Sequence, residues 1–177
     1  MTWQTHVTIG TNAIWLTAIA GKVDESILIF LPFAALASLL PDIEASSAKI
    51  HYVGGGFLGL FRKSFKSKYF EHRGITHSIF ATAVIYFALL IFFGNRLPLL
   101  APIFALSFFS HALLDGLNDG VGYLYPFYLK KFTPVPKMFR SKVKGPLDRL
   151  LFVIGAFGIL LFFFVYAYQF QPTNFIN

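Results

Sequence analysis

Five histidines and eight carboxylates carry most of the chemistry available to this chain, and there is no cysteine. A thiol nucleophile, a disulfide framework and a Cys-based zinc site are therefore excluded at once. The spacing of the histidines and aspartates points to metal ligation. His111 and Asp115 stand at i and i+4, so on a helix both project from one face and can reach a single cation. His72 and His77 are five apart, which no continuous helical face accommodates. The segment between them, Arg73-Gly74-Ile75-Thr76, is expected to turn, with Gly74 supplying the backbone freedom. Imidazole with carboxylate is the ligand set of catalytic zinc and of binuclear hydrolytic centres. A metal there lowers the pKa of a bound water toward about 7 and supplies hydroxide at neutral pH. The candidates are His6, Asp42, His72, His77, His111 and Asp115, enough for one ion or for two with an aspartate bridging.

The elements that must bring these residues together are read from composition. Of the 177 residues 56% are hydrophobic and only 13% charged, against roughly 25% charged in a soluble domain. Twenty-three phenylalanines exceed what a small soluble core can hide. An all-α integral membrane domain covering 1–177 is expected, with apolar segments at Val7–Ala20, Ile27–Leu40, Ile79–Phe93, Leu97–Leu114 and Leu150–Phe170. Several are shorter than the roughly 20 residues that cross a bilayer core, so their helices are expected to continue into polar, protein-lined territory.

Charge sets the topology. Loop 41–77 holds six lysines and arginines and loop 115–149 holds seven, thirteen of the fifteen in the chain. Two crossings separate these loops, which places both on the cytoplasmic side. Five crossings then put the N-terminus inside and the C-terminus outside. Under this topology His6 precedes the first segment, Asp42 follows the second, His72 and His77 precede the third, and His111 and Asp115 close the fourth. All six reach the same, cytoplasmic face.

Each candidate has an ordinary reading when taken singly. A histidine at a membrane boundary is commonly an interfacial hydrogen-bonder, Asp42 after Pro41 suits a turn, and Asp115 before Gly116 can simply end a helix. A carboxylate at a helix C-terminus opposes the macrodipole, however, which calls for a compensating cation. Ionisable groups gathered at a membrane edge favour function over coincidence.

The strings that hold these residues are distinctive. His72-Arg73-Gly74-Ile75-Thr76-His77-Ser78, preceded by Leu40-Pro41-Asp42-Ile43-Glu44, resembles the YdjM-like family of membrane-bound metal-dependent hydrolases. His111-Ala112-Leu113-Leu114-Asp115, followed by Gly122-Tyr123-Leu124-Tyr125-Pro126-Phe127, is similar to that family's second signature, and Thr5-His6 to its start. The resemblance spans residues 5–127. It implies a multi-pass inner-membrane protein with a metal-dependent hydrolase activity. Where the family pattern usually reads Pro-Asp-x-Asp, this chain has Glu44 in the last place, as ligand or general base.

Further roles follow from residue chemistry. Arg73 is a candidate clamp for a phosphate, its fork matching two oxygens; its alternative is a plain topology charge. Thr76 or Ser78 suits the N-cap of the third helix, whose N-terminus would favour an anionic substrate. His51 fits no motif and is read as loop. Val53–Phe57 is glycine-rich but lacks the frame of a nucleotide loop. The cations and aromatics of Arg62–Phe70 suit an anionic lipid surface rather than nucleic acid. Tyr123, Tyr125, Phe127 and Tyr128 read as an interfacial belt beside Lys130 and Lys131. Asp119 and Asp148 read as solvated loop charges, and Pro134, Pro136 and Pro146 keep 115–149 from forming one helix.

The sequence thus predicts hydrolysis of a phosphoester of a lipid or amphiphile at the inner face of the plasma membrane. Zinc is the first-choice metal and manganese the second, with membrane lipids as partners and Arg73 and Glu44 in catalytic roles. The alternatives are a metal-ion or proton-coupled transporter and a non-catalytic membrane scaffold.

Overall fold

The computed structural model describes residues 1–21, 25–44, 73–133, 135–136, 140 and 143–169, apart from the side chains of Glu25, Ser26 and Glu44. His72, His51, Val53–Phe57, Arg62–Phe70 and Pro134 lie outside the described residues. Among those described the chain is all-α, with one isolated bridge between Val121 and Phe132. Helix α1 (Trp3–Thr11) runs through a tighter turn at Asn12–Ile14 into α2 (Trp15–Ile19). A turn at Glu25–Ile29 leads into α3 (Phe30–Ala37), and Leu40–Glu44 forms another tight turn after it. The turn Ile75–His77 precedes α4 (Ile79–Phe93); α5 (Leu100–Gly116) and α6 (Pro146–Gln169) complete the order.

Local chemistry sets several of these limits. Ser78 caps α4, its Oγ accepting from the Ala81 N–H at 3.0 Å. Pro146 opens α6, where a missing N–H costs nothing and its fixed φ suits the first turn. Pro41 interrupts the second segment's continuation, so the chain tightens into the Leu40–Glu44 turn rather than extending α3.

Helix α5 is the axis of the molecule. It packs against α1, α3 and α4, and most of its residues are buried, from Leu100 to Gly116. Helix α6 leans on α1, where Gly155 faces Thr8 and Gly158 faces Asn12 so closely that a Cβ on either glycine would collide. Asn12 uses that proximity: its Nδ2 donates to the Gly155 carbonyl at 2.9 Å. Small residues that let backbones approach are how helices associate where no hydrophobic drive is available.

The polarity of the fold is inverted relative to a soluble domain. Phe87, Ile91 and Phe92 of α4 and Phe157, Leu160 and Phe164 of α6 are exposed, and α4 buries no residue. Thr5, His6, Thr11, Thr17, Ser107, His111 and Asp115 are buried instead. Such an exterior needs hydrocarbon around it. Among the described residues α6, with 24 residues, is the single helix long and apolar enough to cross a membrane. Helices α4 and α5, at 15 and 17 residues, are shorter apolar helices, spanning about 22 and 25 Å at 1.5 Å per residue. The five apolar segments all form helix, but at lengths that make only α6 a full span by itself.

The turn before His77 forms as expected, with Arg73 in a left-handed conformation (φ 65°) followed by Gly74 at φ −90°, ψ −123°. Two local expectations are corrected. Asp148 is not a solvated loop charge: it is 1% exposed, in the first turn of α6. Its carboxylate accepts from Thr5 Oγ1 at 2.6 Å, the Thr2 N–H at 3.2 Å and the Lys144 N–H at 2.8 Å. It ties the start of α1 to the start of α6. Tyr125 likewise leaves the expected belt, being buried with its hydroxyl donating to the Leu129 carbonyl at 2.7 Å, while Phe127 and Tyr128 stay exposed.

Candidate metal centre

Because neighbouring helices alternate in direction, the start of α1, the turn after α3, the turn before α4 and the end of α5 meet at one end of the bundle. Four side chains converge there. Asp42, His77, His111 and Asp115 each offer one ligand atom, and those atoms all lie within 4.8 Å of one another. His111 Nε2 stands 3.4 Å from Asp42 Oδ1 and 3.9 Å from Asp115 Oδ2. His77 Nε2 stands 3.9 Å from Asp42 Oδ1 and 3.7 Å from Asp115 Oδ2. The two histidines and Asp115 are buried, and Asp42 is partly exposed.

Each imidazole is held in a definite tautomer. Ser38 ends α3, and its carbonyl has no intrahelical partner. His111 Nδ1 sits 2.7 Å from that oxygen. A carbonyl only accepts, so Nδ1 carries a proton, and in the neutral ring Nε2 turns its lone pair toward the two carboxylates. Thr76 Oγ1 donates its proton to the Pro41 carbonyl at 2.8 Å and therefore accepts at 3.1 Å from His77 Nδ1. His77 Nε2 is thereby also a lone-pair donor facing the same point.

Two imidazole nitrogens and two carboxylates aimed at one another repel unless protons or a metal cation lie between them. His111 Nε2 is fully buried and forms no hydrogen bond among the described residues. The N–O separations of 3.4–3.9 Å match the edges of a tetrahedron whose centre lies about 2.1–2.4 Å from its corners, close to zinc–nitrogen and zinc–oxygen bond lengths. The residues present fit a divalent cation. Their orienting partners, a helix-end carbonyl and a threonine hydroxyl, are of the kind that fix ligating histidines.

Around this quartet, Asp115 is the hub. Arg73 Nε donates to its Oδ2 at 2.8 Å, and His6 Nε2 lies 3.4 Å from its Oδ1. The His6 ring stacks on His111 at 3.8 Å between centroids, and its buried Nδ1 forms no hydrogen bond. His6 therefore borders the quartet through Asp115. Arg73 Nη1 donates to Asp119 Oδ2 at 2.7 Å, so this guanidinium already grips two carboxylates. These acids raise the Arg73 pKa although burial opposes them. Burial would likewise raise the Asp42 carboxyl, but positive charge on the neighbouring His111 and His77 outweighs it and brings it down to about 2, as a cation bound between them would. Asp42 is thus an anionic donor at neutral pH.

The backbone of Arg73 is fixed by the loop beyond α5. Gly122 N–H donates to the Arg73 carbonyl at 2.8 Å, an approach that a side chain at 122 would block, since its Cβ would meet the Tyr125 ring. The Tyr123 carbonyl accepts from the Ile79 N–H at 3.0 Å, and the Tyr123 hydroxyl donates to the Ala112 carbonyl at 3.1 Å.

Of the residues singled out by sequence, Asp42, His77, His111 and Asp115 meet, with His6 and Arg73 packed against them. His72 lies outside the described residues, as does the Glu44 side chain. Sequence reasoning missed Ser38, read Asp119 only as a solvated loop charge and saw Thr76 only as a cap. Thr76 carried a signal in its position beside His77; a backbone carbonyl such as that of Ser38 carries none.

An apolar-walled helical protein with a buried His–Asp quartet at one end belongs to the class of helical membrane proteins with a candidate metal centre. The family model described as YdjM inner membrane protein matches residues 1–173, and the chain belongs to that family. No curated protein and no solved structure matches it.

Proposed function

We propose that this chain is a multi-pass, metal-dependent hydrolase of the inner membrane, acting on a phosphoester of a lipid or amphiphile at the cytoplasmic face, with its N-terminus inside. The observation that carries the reading is the pair of imidazoles whose Nδ1 atoms are engaged by a carbonyl and a hydroxyl and whose Nε2 atoms face two carboxylates. Asp42, His77, His111 and Asp115 are the ligands of a divalent ion, zinc before manganese. His6 holds the other oxygen of Asp115 in place. His72 and Glu44 are the further candidates, His72 for a second ion and Glu44 as ligand or general base. When bound, such a cation acidifies a coordinated water and polarises a phosphoryl oxygen.

Arg73 supports an anionic substrate. Its contact with Asp115 is buried, whereas its other partner, Asp119, has a side chain 59% exposed. A phosphate oxygen exchanging with Asp119 on Nη1 would be clamped beside the ligand cluster while Nε keeps Asp115 in place. A transport path calls for ionisable groups at mid-depth, and these four gather at one end.

The test is turnover in proteoliposomes containing phosphatidic acid, phosphatidylglycerol phosphate or diacyl phosphodiesters, with zinc or manganese supplied. Metal-dependent release of phosphate or headgroup by wild type, abolished in His77→Ala, is the expected result. Metal flux across the vesicle wall without turnover of any lipid would replace hydrolysis with transport.

A further inference from the structure

The cytoplasmic end proposed for α6 carries a second feature, separate from the quartet. A cavity of about 320 Å³ lies between the start of α1 and the start of α6, lined by Gln4, Thr5, Lys144, Arg149 and Phe152 together with Asp148. It has the size of a small-ligand site. Two of its walls are cationic. Neither the Lys144 nor the Arg149 side chain makes an ion pair or hydrogen bond with a described residue, and both are exposed. The acid beside them does not neutralise them by contact: both Asp148 oxygens are occupied by Thr5 Oγ1, the Thr2 N–H and the Lys144 N–H.

Depth argues for the ligand. Arg149 is the last charged residue before the charge-free run Leu150–Gln169. Phe152, 40% exposed, continues the cavity wall onto the apolar outer face of α6, where Leu150 and Val153 are exposed as well. A ligand seated here meets two cations at one end and hydrocarbon at the other. Lys144 holds a left-handed backbone conformation (φ 61°) in which its own N–H closes on Asp148, a geometry that glycine would accept more readily.

We infer that this cavity is a binding site for the phosphate headgroup of an anionic phospholipid, with Lys144 and Arg149 as the phosphate contacts and α6 from Phe152 outward as the acyl-chain wall. The lipid is a bound partner at the α1–α6 junction, distinct from any substrate of the quartet. The chemistry is that of juxtamembrane cations drawn to anionic lipid, here focused into a shaped cavity.

The experiment is thermal unfolding of the full-length, detergent-purified protein titrated with dioleoylphosphatidylglycerol, with dioleoylphosphatidylcholine, and with inorganic phosphate. Saturable stabilisation by phosphatidylglycerol alone is expected, and Lys144→Gln with Arg149→Gln should weaken its half-saturation at least fivefold. The Lys144 backbone N–H that serves Asp148 survives that change, so the fold is retained; a circular dichroism spectrum matching wild type checks this. A charge-matched control, Lys130→Gln with Lys131→Gln, should leave half-saturation within twofold of wild type. Equal weakening in the control would reduce the effect to bulk charge and overturn the site. An unchanged titration in the Lys144 and Arg149 variant would overturn it too, as would stabilisation by inorganic phosphate equal to that by lipid.

Discussion

Thr76 is the residue through which the proposed centre can be tuned without touching a ligand. Its hydroxyl donates a hydrogen bond to the Pro41 carbonyl and accepts one from His77 Nδ1, so it sets which imidazole nitrogen faces the carboxylates. Thr76→Val keeps the shape and removes that control. The expected outcome is a fold that melts near wild type with zinc affinity lower by about 10- to 100-fold, measured by competition with a chromophoric chelator. Thr76→Ser should restore most of it. Asp119→Ala leaves Arg73 bound to Asp115 alone and should change metal affinity less than Thr76→Val does. At this scale the ligands were legible, because i,i+4 spacing and helix-end placement survive in the sequence. The orienting partners were not, since the carbonyls of Ser38 and Pro41 belong to backbone that any residue type supplies. The turn before His77 was legible through Gly74. The left-handed conformation of Arg73 was not, since its carbonyl is fixed by the Gly122 N–H from the loop beyond α5.

At the scale of elements, the junction of α1 with α6 is the contact most exposed to test. Gly155 has no room for a side chain against Thr8. Gly155→Val should force the helices apart and cost about 1–3 kcal/mol, read as a lower melting temperature in detergent. Asp148→Asn offers an amide N–H where N–H and O–H donors already point. It should cost a similar 1–3 kcal/mol by leaving buried groups unpaired. The apolar runs revealed where helix would form, and Ser78 and Pro146 were readable as boundary residues. Pro41 and Asp42 already suited the turn at Leu40–Glu44, but the tight turn at Asn12–Ile14 was not legible, because three residues leave no periodic pattern. Asp148 was misjudged for a related reason. An acid two residues after a proline fits a helix first turn. Its burial, however, depends on Thr2 and Thr5, which lie more than 140 positions away.

For the whole molecule, polarity is the organising fact: large apolar side chains face outward on α4 and α6, and hydroxyls, imidazoles and carboxylates face inward. Composition announced the membrane, and charge counting placed the clustered groups at one end before any contact was known. The number of crossings is the part that sequence left to experiment, since only α6 has the length to span by itself. The absence of native cysteine makes that experiment clean. In the five-crossing arrangement, a cysteine at Asn95 should react with an impermeant maleimide added outside intact spheroplasts, and one at Lys130 only after lysis. Reaction of both from outside would remove the topology on which the cytoplasmic placement rests.

The measurement that bears most directly on the centre is elemental analysis of protein purified in detergent without chelators. Wild type should carry close to one divalent metal per chain, or two if His72 helps to hold a second. The double variant His111→Ala with Asp115→Ala should fall to background while remaining folded. Wild type free of metal, or a double variant that retains the full complement, would contradict the assignment of these side chains as ligands.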